Sequence, residues 1–382
     1  MKPKLIISFA IYLLINSFFV IKYSSRLSQY NEYILTLSYV IMVLMLTFIY
    51  LKVNFNVYKT LFITAFLSFF AFTVYLNIAI DGDALNVDRW SAMQVAIKAL
   101  LNGEYPYSAI DHLGGRTSNL PSLIFIGIPF YLVNNIGFLQ SFAFLLFVFV
   151  VYITFSNYRD RLFCLLLLIL SPAYLWEIYV KSDLMSNFIF ILLFLVIVQN
   201  KISKKSKMNT AVLSFVTSAL ILTRLPSIIP ISLLLFKKFY NYSLKNKTIF
   251  IITAFLTSAI FLFICFHNVH SFEHFKRHNP FELQNRQLPL FISFITILIP
   301  IIYSFRINNL KTLIKSSTFF LLLPVSISLT LSIIKNGFYN SVSLSYFDIS
   351  YLNITLPFLL IYISFEYTKL FPNEKIIQQS SI

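Results

Sequence analysis

Apolar stretches separated by short polar breaks recur along the whole chain, most of them about the length at which a helix covers the hydrocarbon thickness of a bilayer. The pattern predicts spans near 5–22, 33–51, 61–80, 137–155, 162–179, 183–199, 209–224, 226–237, 248–266, 290–305, 318–334 and 347–366. The expected fold is all-α, a polytopic transmembrane helical bundle of about 12 spans, forming a single integral membrane domain over residues 1–382. Lys2 and Lys4 precede the first run, as they would in a signal peptide. No small-x-small cleavage motif follows it before the polar SSRLSQYNEY stretch, so it reads as an uncleaved span.

Composition agrees with this pattern. Hydrophobic residues make up 58% of the chain, charged residues 12%, and the mean hydropathy is +0.79. A soluble chain of 382 residues needs more polar surface than that. Cys164 and Cys265 fall inside apolar runs and read as core side chains. A net charge of +16 would suggest nucleic acid in a soluble protein. In a membrane chain it has a simpler origin, because cytoplasmic loops collect Lys and Arg. With both termini placed in the cytoplasm, the Lys clusters at 201–207 and 237–247 fall on that side, opposed only by Asp160, Glu366 and Glu374. The whole net charge then sits there, and the outer side balances to zero. The expected setting is a cell membrane crossed many times, with membrane lipids as partners and no nucleic acid.

The same asymmetry bears on residues 120–134, LPSLIFIGIPFYLVN, which are apolar but short and broken by Pro121 and Pro129. If they crossed, every later Lys-rich loop would face outward, so they are expected to lie along the outer interface. A long outer loop, 81–136, results, and long ordered loops usually carry function.

This loop opens DGDALNVDRW, with Asp81, Asp83 and Asp88. From Asp88 to Leu101 the residues Trp90, Met93, Ile97, Leu100 and Leu101 share one helical face, which predicts an amphipathic surface helix. Asp88 starts it, where an ordinary N-cap role competes with chemistry. Gly103 stops it, and Tyr105-Pro106-Tyr107 makes a stiff turn. A second outer loop, 267–289, holds His267, His270, His274 and His278 with Lys276, Arg277 and Arg286. His270 and His274 have the i,i+4 spacing of metal ligands, but no Cys and only two carboxylates accompany them. No metal and no cofactor are expected, and the loop suits an anionic group such as phosphate. Two shorter outer turns carry Glu177, Lys181 and Asp183, and Arg224. Ionisable residues near the membrane either pair with one another or mark a site.

The order of these parts resembles the GT-C superfamily of polyprenyl-phosphate-sugar-dependent glycosyltransferases, particularly its mannosyltransferase-like members. The shared order is an outer-loop Asp, an amphipathic helix ending in G-x-x-P-Y, a Pro-containing apolar segment, a span, a basic turn, an "SP…D" turn and an "R/K-x-P" turn, over about residues 80–240. The chain departs from many members in having Asn119-Leu120-Pro121-Ser122 in place of Tyr-Pro-Pro, and in placing the loop after its third span.

The resemblance implies that 88–102 and 120–134 are interfacial helices and that Asp88 is the catalytic residue, with Asp83 and Asp81 as its neighbours and rivals. It also implies a polyprenyl-phosphate sugar donor, carrying mannose or a similar hexose, and an envelope glycan or glycolipid acceptor on the outer face. Polyprenyl phosphate leaves without protonation, whereas the acceptor hydroxyl needs a base, so direct displacement would invert the anomeric centre. His274, Arg277, His278, Arg224, Lys181, Asp183 and Tyr107 are the expected substrate contacts. Two other functions fit the composition. An O-antigen-type polymerase or ligase would need 267–289 and not Asp88, and a transporter or lipid flippase would show inverted repeats.

Overall fold

The computed structural model describes residues 3–26, 31–53, 56–82, 84–285 and 288–370. Asp83 and Arg286, both singled out above, lie outside the described residues. The chain is helical throughout, with no β-strand among the described residues beyond one isolated bridge between Ile110 and Arg116.

Three long helices come first: α1 (Pro3–Ser24), α2 (Glu32–Lys52) and α3 (Tyr58–Ala79). Two shorter ones, α4 (Arg89–Leu101) and α5 (Pro121–Leu132), occupy the following loop. Then come α6 (Phe138–Thr154), α7 (Tyr158–Ile169), α8 (Pro172–Tyr179), α9 (Leu184–Ser203), α10 (Thr210–Ile221), α11 (Ile228–Tyr240) and α12 (Leu244–Phe266). The last part holds α13 (Phe272–Arg277), α14 (Pro280–Asn285), α15 (Leu290–Tyr303), α16 (Leu310–Asn336), α17 (Phe338–Val342) and α18 (Leu356–Tyr367).

Six of these, α1, α2, α3, α9, α12 and α16, are long and apolar enough to cross a membrane. The number rises to 8 if two bent pairs, α7 with α8 and α13–α14 with α15, each count as one span. The chain is therefore a membrane-embedded helical protein, with six to eight such spans among the described residues where hydropathy alone suggests about 12. Hydropathy counts apolar residues without asking what they touch. The run 347–366 is the clearest case: α18 covers only 12 residues and nearly all of them are buried against α1, α7, α9 and α16. It is apolar because it fills the centre of the bundle. By contrast only 11% of the apolar window of α2, and of α12, is covered by protein, so these helices turn apolar side chains outward. The 162–179 run is broken at Ser171-Pro172, where the chain bends by 62° between α7 and α8. Pro172 lacks the N–H that would continue α7, and the Ser171 hydroxyl caps α8 by accepting from the Tyr174 N–H.

One end of the bundle is tied together by buried polar groups. Gln140 of α6 donates to the Ser182 carbonyl. The fully buried Glu177 of α8 accepts from the Met185 N–H at 2.5 Å and from Asn353 Nδ2 at 2.9 Å. Segment α5 is anchored to this end at both of its own ends. At its start the Leu120 and Ser122 N–H groups donate to the Thr223 and Leu222 carbonyls, and just past its finish Asn135 Nδ2 donates to the Asn77 carbonyl at 2.7 Å. At 12 residues it reaches only about 18 Å. It packs on α4 closely enough that a Cβ on Gly127 would meet Met93 Sδ and Ile97 Cδ1 at 2.8 Å. Met93, Ile97, Tyr105, Tyr107, Leu123, Ile124 and Cys265 form a small apolar core of their own, layered on the end of the main bundle.

Candidate functional site

The start of α4, with the loops on either side of that helix, roofs a cavity of about 540 Å³ at this end of the bundle. The last turn of α1 and the residues after it supply Lys22, Tyr23 and Arg26, and the loop entering α4 supplies Asp88 and Arg89. Arg116, Trp176 of α8 and Asp348, from the turn before α18, complete the polar wall.

Local structure explains why these side chains meet. Trp90 Nε1 donates to the Gly82 carbonyl at 3.0 Å, folding the chain before α4 back over the helix. His112 Nε2 donates to the Leu85 carbonyl at 3.0 Å, which fixes the proton on that nitrogen, and its Nδ1 lies 2.6 Å from Ser91 Oγ. A tight turn precedes Arg116: Asp111 Oδ1 accepts the Leu113 and Gly115 N–H groups, each at 2.9 Å. Arg89 Nη2 donates to Asp348 Oδ2 and, at 3.1 Å, to Ser350 Oγ, joining the first helix of the roof to the last turn of the chain.

Two groups in this cavity are unusual. Asp88 occupies the N-cap position of α4, but its backbone is helical there and its side chain makes no capping hydrogen bond. The carboxylate is left to the cavity. Lys22 is only 5% exposed, and among the described residues it has no carboxylate and no hydrogen-bond acceptor; its ammonium lies 5.8 Å from the Tyr23 ring centroid. A buried cation without an anion is costly, and an anion held in the cavity would offset that cost. Arg26 and Arg116 add charge of the same sign.

A second, apolar cavity of about 540 Å³ adjoins the first between α1, α3 and α8, lined by Phe19, Phe72, Leu76, Leu175 and Tyr179 among others. Tyr23 and Trp176 belong to the walls of both. The two spaces together make a charged chamber with an apolar annex.

No family model, no curated protein and no solved structure matches this chain. What it does must be argued from the residues themselves.

Of the residues expected from the sequence, Asp88 lines the chamber and Asp81 stands seven residues earlier in the same loop, outside its walls. The others are elsewhere. Arg224 and Asp183 are buried in an ion pair, with Arg224 Nε and Nη2 at 3.0 and 2.5 Å from Asp183 Oδ2, and Arg224 Nη2 also donates to Asn119 at 2.6 Å. The pair links the starts of α5, α9 and α11, while Arg224 Nη1 is buried without a hydrogen-bond partner among the described residues. Lys181 is buried at the turn between α8 and α9 with φ +52°. Tyr107 is buried with its ring 5.1 Å from that of Phe266, inside the small core. His274 packs between Tyr105 and His278, with ring centroids at 5.6 and 4.4 Å. Partial burial and the Arg116 guanidinium push the His278 imidazole below the ordinary histidine value. Arg277 is 76% exposed and pairs at 3.8 Å with Glu273 one helical turn away. Its guanidinium points to solvent and not to the chamber. No cluster of three or more His, Cys, Asp or Glu side chains able to hold a metal occurs among the described residues.

The sequence alone does not mark Lys22, Arg116, His112, Asp111 or Asp348 as site residues. Lys22 looks like the flanking charge of a span, and Asp348 is separated from Arg89 by most of the chain. The DHLGGR string did carry a signal, since an Asp followed by two glycines marks a turn.

Proposed function

We propose that the chain is a membrane glycosyltransferase that moves a sugar from a polyprenyl-phosphate donor to a hydroxyl of a glycan or glycolipid acceptor. The observation that carries this reading is the buried, unpaired Lys22 ammonium in a chamber that also holds the free Asp88 carboxylate and adjoins an apolar annex at Tyr23 and Trp176. A phosphate bearing both a sugar and an isoprenoid matches the three parts: cation for phosphate, carboxylate for acceptor, apolar groove for tail. The Lys clusters lie at the opposite end of the bundle, which supports an outward-facing chamber.

In this mechanism Asp88 accepts the proton of the acceptor hydroxyl as its oxygen attacks the anomeric carbon. The bond from that carbon to the phosphate oxygen breaks, and the polyprenyl phosphate leaves with the electron pair. Inversion follows from the single displacement. Lys22, Arg26 and Arg116 stabilise the charge that grows on the phosphate. Arg89, held by Asp348, fixes the start of α4 and with it the direction of Asp88.

The purified chain in lipid nanodiscs should transfer labelled hexose from a polyprenyl phosphate, and Lys22→Met should lower the rate. Transfer from a nucleotide sugar with no lipid intermediate would refute the reading. The charged chamber with its apolar annex would equally serve a lipid flippase. Transbilayer movement of a polyprenyl-phosphate sugar that persists in Asp88→Asn, with no glycoside formed by the unmodified protein, would favour that second function.

A further inference from the structure

At the far end of the bundle another polar cavity, of about 430 Å³, opens between the C-terminal ends of α9 and α11 and the turn after α15. Lys237 and Lys238, in the last turn of α11, both line it, and so does Gln199 of α9. No carboxylate does. Lys237 Nζ donates to neutral acceptors only, the Phe305 carbonyl and Asn308 Oδ1, each at the long distance of 3.3 Å. Lys238 Nζ has the Met208 thioether at 3.9 Å, a weak acceptor. Gln199 is 6% exposed, and its carboxamide makes no hydrogen bond.

Among the described residues neither ammonium has a counter-charge, although they are consecutive in sequence and share one concave wall. Like charges held this way repel, and the Gln199 carboxamide, which lines the same cavity, has no hydrogen-bond partner among the described residues. An anion seated between them would relieve both. Lysines bind phosphate as compact point charges, and a primary amide donates through two N–H groups, so the donor set suits phosphate oxygens. We infer that this cavity binds a phosphate-bearing anion, with Lys237 and Lys238 as its counter-charges and the Gln199 carboxamide as a neutral donor. The inference uses none of the chamber residues and stands apart from the transferase reading. A phosphate of this kind has two sources, the headgroup of an anionic phospholipid and a soluble phosphate.

Two probes separate them on the full chain. One is phosphatidylglycerol in phosphatidylcholine nanodiscs, measured as lipid retained after delipidation. The other is inorganic phosphate added to the detergent-solubilised protein, measured as a rise in thermal midpoint. Replacing both lysines by Gln should weaken whichever binding occurs by about tenfold or more, as the loss of charge-assisted hydrogen bonds requires. Lys204→Gln with Lys207→Gln, which removes equal charge from exposed positions of the same end, should leave it unchanged. Gln199→Leu keeps every charge and should also weaken it, which guards against a lysine variant that fails to fold. Loss confined to the lipid arm assigns the site to a headgroup, and loss confined to the phosphate arm assigns it to a soluble anion. Equal binding by the Lys237/Lys238 and Lys204/Lys207 pairs, or no binding of either probe by the unmodified chain, would overturn the inference.

Discussion

The carboxylates of Asp88 and Asp111 converge on Gly115: a Cβ built there would lie 3.1 Å from Asp88 Oδ2 and 2.7 Å from Asp111 Oδ2. Asp111 Oδ2 is buried without a hydrogen-bond partner, whereas its Oδ1 is occupied by the turn. The free oxygen of one acid therefore faces the other across a residue that has no side chain.

The two acids should separate by substitution. Asp88→Asn keeps the shape but cannot take the proton, and transfer should fall by about 10²–10⁴-fold with donor binding retained. Asp111→Asn keeps the Oδ1 acceptor of the turn and should lower the rate far less. Equal rates for Asp88→Asn and the unmodified chain would remove Asp88 from the chemistry.

Gly115→Ala should be damaging out of proportion to one methyl group. The new Cβ would enter contact distance of both carboxylates, and one of them must move. Transfer should drop while thermal stability, read in detergent, changes little because residue 115 lies in a loop at the surface of the bundle. A fully active Gly115→Ala would mean that the positions of the two carboxylates do not matter.

Arg224→Met should destabilise the fold by about 3–5 kcal/mol, since it leaves the Asp183 carboxylate buried without its partner. Adding Asp183→Leu should recover much of that loss. Thermal unfolding of the single and double variants measures this, and a double variant no better than the single would break the link between them.

Arg277→Ala should change transfer by less than about twofold, because its only described ion pair is an exposed one with Glu273. Lys22→Met should weaken donor use by at least about tenfold, the loss expected for a charge-assisted contact to phosphate. Saturation kinetics with the lipid donor separate the two, and the reverse order would move the phosphate to the 267–289 loop.

Leu113→Cys and Val133→Cys should react with a membrane-impermeant maleimide from the same side, since both ends of α5 are bound to one end of the bundle. Both native cysteines are buried and should be silent. Lys204→Cys should react only from the other side. Opposite labelling of positions 113 and 133 would require α5 to cross.

The parts of this architecture with a local cause are readable in the sequence. The spacing of Met93 and Ile97 gives the inward face of α4, Gly103 ends the helix region, and Pro121 opens α5. The role of Asp88 as a residue at the start of α4 is equally local. What escapes is whatever depends on distant packing. Nothing near Arg89 announces Asp348, and nothing near Lys22 announces that its ammonium faces a chamber and not a lipid headgroup. The short, enclosed α18 reads like a span because burial in protein and burial in lipid select the same side chains. Nothing near Arg224 announces its ion pair with Asp183, which only the fold brings together.

For the proposed reaction, the shared wall of Tyr23 and Trp176 also determines what the word concentration means. A reactant that arrives sideways from the leaflet is counted per area of membrane, not per volume of water. Diluting the donor with inert phospholipid should slow the reaction even when its amount per litre is constant. Adding more bilayer of unchanged composition should leave the turnover of each protein molecule as it was.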